Sequence, residues 1–141
     1  MSPADMRHET FRQLLAREVG NGRDAPAIAV AARRLCERFA QQLIPIIGQA
    51  GVAAICSRSL HLVQRQFPSI ASITTQGDGP FAGVQMTLQE LDPSMAADTA
   101  VALLTTASQL LDSFIGEGLT TRLLRGAWPT DFNDDAPERI A

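Results

Sequence analysis

From residue 28 to residue 46 the apolar side chains Ile28, Ala32, Leu35, Phe39, Leu43 and Ile46 step by three or four positions. Arg33, Arg34, Glu37, Arg38, Gln41 and Gln42 fill the places between them. A stripe with that spacing lies on one face of an α-helix, whereas on a strand it would scatter over both faces. The same step recurs downstream. Val52, Cys56, Leu60, Val63 and Phe67 share one face, with Ile55 and Leu62 beside it. Met95, Ala97, Val101, Leu104, Ser108, Leu111 and Ile115 mark another. No convincing strand competes with these patterns. The sequence predicts an all-α fold, a helical bundle of four or five helices whose long C-terminal helix is open to a kink.

Local signals set the expected ends. The first helix runs from about Pro3 to Val19, with Ser2 as cap, Asp5 three residues on, and Gly20-Asn21-Gly22 as its stop. Its apolar residues are Met6, Phe11, Leu14, Leu15 and Val19. Asp24 caps the second, with Pro26 in its first turn. Pro45 removes a backbone donor, so this helix ends or kinks near it. A third follows from Val52 to Phe67, stopped by Pro68. Residues 69–92, with Gly77, Gly79, Pro80 and Gly83, read as a long loop holding one short helical or extended piece at "VQMTLQEL". Asp92 and Pro93 open the longest helix. The expected organisation is a single helical domain over 1–129 and a loose acidic tail over 130–141.

The stretch "FIGEGLTTRLLRGAWP" places Gly116 and Gly118 inside a helical pattern, where each costs roughly 1 kcal/mol against alanine. Register continues through Ile115, Leu119 and Leu123. The expectation is one kinked helix or two nearly coaxial ones. Glycine there serves either a bend or the close approach of a partner subunit or ligand.

This stretch, with "ICSRSLHLVQRQFP", resembles a family of small all-helical bacterial proteins of uncharacterised function. One shared block is Ile115, Gly116, Glu117, Leu119, Thr120, Arg122, Leu123, Leu124, Trp128 and Pro129; the other is Arg58, Leu60, Leu62, Phe67 and Pro68. Gly118 stands where that family would favour a better helix former. The resemblance implies the helical order and no activity.

Charge bounds the partners. All twelve basic residues are Arg, and there is no Lys or Tyr, a usage that points to a GC-rich genome. Residues 1–68 carry nine Arg against five acids, and residues 69–141 three Arg against ten. The net charge of −3 disfavours nucleic acid, while the asymmetry suits pairing between halves or subunits. No stretch of ~18 uninterrupted apolar residues is present, which argues against a membrane span. The N-terminus lacks a signal pattern, so the expected location is the cytoplasm.

Chemistry-bearing residues are few. Cys36 and Cys56 have no metal-type spacing, and with only His8 and His61 to join them neither a metal nor a cofactor is expected. His61 faces away from its helix stripe, with Gln64 and Arg65 one turn on. An exposed histidine on a bundle is the basis for a histidine phosphotransfer-like carrier, although Val63 and Gln64 stand where such modules place Lys and Gly. Glu117 with Arg122 and Arg125 forms either an ion-paired face or the polar group of a ligand site. Thr105, Thr106 and Ser108 can bond their own helix backbone. No nucleophile elbow, P-loop, Rossmann or zinc-protease motif occurs. The expectation is a non-enzymatic interaction or regulatory module, a homodimer or the partner of another protein, using Gly116, Glu117, Arg122 and Trp128. Its competitors are the His61 carrier and a small-ligand sensor with a pocket between the long helix and the 69–92 loop.

Overall fold

The computed structural model describes residues 3–67 and 80–132, and among them every regular element is a helix. These are α1 (Pro3–Val19), α2 (Ala25–Gln66), α3 (Pro80–Leu88), α4 (Pro93–Ile115) and α5 (Glu117–Ala127). The caps fall where the sequence places them. The Asp24 carboxylate accepts from the Ala27 amide at 3.0 Å, and that of Asp92 from the Ser94 and Met95 amides. Each satisfies amides that the first helical turn leaves without an intrahelical partner. The expected Ser2 cap lies outside the described residues.

The structure decides two open expectations. The break expected near Pro45 comes three residues later, at Gly48, whose φ of 77° and ψ of 168° are non-helical. Within the expected loop, the "VQMTL" piece is helical and belongs to α3.

α2 is therefore two limbs, and they do not continue one another. In a straight helix Cys36 and Cys56 would stand roughly 30 Å apart. Here both line one cavity of about 40 Å³, with Leu43 and Val52, against Leu103, Leu104 and Ala107 of α4. The limbs fold towards each other at Gly48, and α4 fills the angle between them. By length and composition α2 passes as a membrane span, with a mean hydropathy of 1.4 over its most apolar window. The turn at Gly48 interrupts it as a rod.

A second reversal occurs at Gly116, with φ 91° and ψ 150°. Its direction follows from contacts with α1. Along α1, Arg7 pairs with Asp112, Arg12 with Asp98, and Ala16 and Val19 lie beside Pro93 and Ala97, so α4 runs antiparallel to α1. Beyond Gly116 the order inverts. Arg7 donates to Thr121, Phe11 packs on Trp128, and Arg17 pairs with Asp131. α5 climbs α1 where α4 descends it. The nearly coaxial arrangement is replaced by a fold-back, because an εlike glycine conformation ends α4 and starts α5 within one residue.

The core joins these layers. Phe11, Phe39, Trp128 and Phe132 form an aromatic cluster with ring centroids 5.4 to 6.1 Å apart. Phe132 is buried and Asp131 is ion-paired, so the packed body reaches past the boundary expected at 129. The rest of the expected tail lies outside the described residues. Of the expected stripes, Met6 and Ile46 are exposed instead of buried.

Candidate functional site

Both glycine reversals lie at the same end of the bundle. The first limb of α2 is antiparallel to α1, because Arg34 meets Glu18 while Phe39 meets Trp128 beside Phe11. Its tip therefore arrives where α1 begins. α4 also ends there, at the Arg7–Asp112 pair. Exposed apolar side chains collect at this end: Phe114 is 73% exposed, Ile46 50%, Met6 39% and Ile44 37%. Residues 39–57 contain no charge. Only 33% of the most apolar eighteen-residue window of α2 is buried. Scattered single apolar residues are ordinary on a surface, whereas these four gather at one end of the bundle.

The four residues expected to form a ligand or partner surface are divided by the fold. Gly116, Glu117 and Arg122 are exposed. Trp128 is 4% exposed and belongs to the aromatic core, since its indole is held between Phe11, Phe39 and Phe132. No ion pair among the described residues joins Glu117 to Arg122, and Glu117 is not the buried polar group a ligand site requires. A Cβ built on Gly116 meets nothing within 4 Å, so inside the monomer this glycine answers to its positive φ and not to close packing. The close approach in the stretch is at Gly126, where a Cβ would collide with the Gln42 side chain on α2.

His61 is exposed on the second limb of α2, as its place on the helical wheel predicts. The two thiols are buried. Burial, then the proximity of Cys56 and of Glu37, holds the Cys36 thiol far above the usual range. Burial pushes Cys56 up to about 11. Both are neutral at physiological pH, and a neutral thiol is neither a good nucleophile nor a metal ligand. Among the described residues no group of three or more His, Cys, Asp or Glu side chains is placed to hold a metal ion.

Arg7 was not distinguished by its charge alone, yet it is buried and ties three helices. Its guanidinium donates to Asp112 at 2.7 Å and to Thr121 at 3.2 Å, bracketing the Gly116 reversal. The signal was its spacing: Arg7 sits four residues before Phe11 and seven before Leu14, on the apolar face. Ser108 bonds the Leu104 carbonyl, whereas the buried Thr105 hydroxyl has no partner among the described residues. Of the 69–92 loop expected to wall a sensor pocket against the long helix, residues 69–79 lie outside the described residues and 80–88 form α3. A cleft does open beside α4, walled by α1 and the end of α2, with a volume of about 380 Å³. Comparison with family models, curated proteins and solved structures finds no match.

Proposed function

We propose that this chain is a non-enzymatic helical interaction module that self-associates through the end of the bundle carrying both glycine reversals. The observation that carries the reading is the exposure of Met6, Ile44, Ile46 and Phe114 at that one end. Covering them removes apolar area from water at roughly 25 cal/mol per Å². The occupant is a second copy because the surface over 39–57 is uncharged. A charged partner would lose hydration there without finding a counter-charge. The tip of α2 in another molecule is uncharged over the same residues and offers the same apolar side chains, which suits the two-fold contact of a homodimer.

The test is light scattering on the full chain at several concentrations, with the double variant Ile46→Glu, Phe114→Arg. Dimer mass for the natural chain and monomer mass for the variant, at equal helicity, is the expected result. A monomer at every concentration sinks the reading. So does a monomer that sediments with phosphatidylcholine vesicles, which would assign the apolar end to a lipid surface instead.

A further inference from the structure

The second limb of α2 carries a cationic face that includes none of the exposed apolar residues just described. His61 is exposed there, with Arg58 three residues before it and Arg65 four after, both exposed. Side chains at those spacings are neighbours on one helix face, with Cβ atoms about 5–6 Å apart. Arg7, Arg12, Arg17, Arg33 and Arg34 each meet a carboxylate. Arg58 and Arg65 meet none among the described residues. Residues 38–77 hold no Asp or Glu, so the limb brings no acid of its own to this face. A helical side chain leans over the turn before it, where His61 finds Ser57 and, a turn further, Ala54, both small and exposed. The ring is therefore open to a reagent from that side. The second histidine of the chain has the opposite setting. His8 is half-buried, with Asp5 three residues before it and Arg12, four after it, engaged by Asp98.

We propose that His61 is a phosphoryl acceptor whose modified form is held by Arg58 and Arg65, and that its donor carries the phosphoryl group on nitrogen. Histidine is among the side chains that form such covalent intermediates. The lone pair of the unprotonated ring nitrogen attacks phosphorus. A new N–P bond forms, the donor's N–P bond breaks, and the donor nitrogen leaves as a neutral amine with the bonding pair and a proton. The other ring nitrogen of His61 keeps its own proton. One N–P bond replaces another, so the exchange is close to balanced and runs both ways, as a carrier requires. The group adds nearly two negative charges and three acceptor oxygens. Guanidinium forks on either side of the ring match them in charge and in geometry. Val63, which stands where a phosphotransfer module places Lys, is buried, and the two arginines supply that charge instead. The site lies apart from Met6, Ile44, Ile46 and Phe114, so it does not rest on self-association.

Incubation of the full chain with phosphoramidate, followed by mass-spectrometric mapping of phosphohistidine, tests this. His8 in the same molecule and N-acetylhistidine amide in the same solution are the references. His61 is modified faster than either. The double variant Arg58→Gln, Arg65→Gln slows His61 on the order of tenfold and leaves His8 unchanged, because it removes two exposed charge contacts of about threefold each. Arg58→Lys, Arg65→Lys recovers part of the rate, since it keeps the charges and loses the forks. Raising the salt from about 0.01 to 1 M narrows the advantage of His61, as screening of exposed charges requires. All of these positions are exposed, so the variants keep the helicity of the natural chain. His61 no faster than His8 or the free imidazole overturns the proposal, and so does an unchanged rate in the glutamine pair. Should the glutamine pair lose helicity, the salt series on the natural chain decides, and an advantage unmoved by salt overturns it equally.

Discussion

At the scale of single residues, the two thiols and Arg7 govern how the fold responds to its conditions. Cys56 titrates near 11 in the folded chain against an ordinary value of 9.0, and Cys36 is raised further. A thiol whose folded pKa is raised favours folding fully below its unfolded pKa. That contribution is lost as pH rises, because the unfolded chain ionises first. Stability should therefore fall from about pH 9 upward, through 11 and beyond. The sequence has no Lys and no Tyr, so no other side chains ordinarily titrate in that window. Denaturant unfolding between pH 8 and 11.5 should lose most of its alkaline slope in a Cys36→Ala, Cys56→Ala double variant; a slope that persists would assign the loss elsewhere. Arg7 makes a different demand. Its side chain is 7% exposed and it is the partner of both Asp112 and Thr121. Arg7→Met keeps much of the apolar stem and removes the charge, leaving Asp112 half-covered with a second oxygen already unpartnered. The expected cost is about 1–3 kcal/mol in denaturant unfolding. A loss below about 0.5 kcal/mol, the range of ordinary surface changes, would mean that packing alone holds the reversal.

At the scale of elements, three glycines of one short stretch do three different things. Gly116 has φ 91°, so Gly116→Ala strains the backbone even though nothing crowds it, at roughly 1–2 kcal/mol. Gly118 is helical with open space around its Cβ position, so Gly118→Ala should stabilise by about 0.4–1 kcal/mol. Thermal unfolding of both variants decides the matter, and equal effects of the same sign would contradict the assignment. Gly126 makes room for Gln42. All three look alike in the sequence, because apolar period and register run on through Ile115, Leu119 and Leu123 whether the chain bends or reverses. Helix type, the Asp24 and Asp92 caps and the stops at Val19 and Phe67 were legible, since each depends on local chemistry. The direction taken after Gly48 and Gly116 depends on what the next helix packs against. That is also why Trp128 could be mistaken for a surface residue: its burial comes from Phe11 and Phe39, far away in sequence. The exposed Ile46 has the same origin, as its helical stripe outlasts the neighbours that would cover it.

At the scale of the molecule, both reversals at one end have a joint consequence. A helix that turns back within one glycine leaves its last apolar turn with no successor to cover it, and here two such turns lie at the same end. The result is a monomer whose side is closed by α1, α4 and α5 and whose end is left apolar at Ile44, Ile46 and Phe114. If a second copy covers that end, folding and association share one equilibrium, and melting becomes concentration-dependent. The melting temperature of the natural chain should then rise steadily over a hundredfold increase in protein concentration. In the Ile46→Glu, Phe114→Arg variant it should stay constant, because that chain unfolds as a monomer. Both substituted positions are exposed, so the variant should match the natural chain at the lowest concentration and diverge only as concentration increases. A difference already full at the lowest concentration and flat thereafter would place these side chains in the stability of the monomer, and the shared apolar end would then need another occupant.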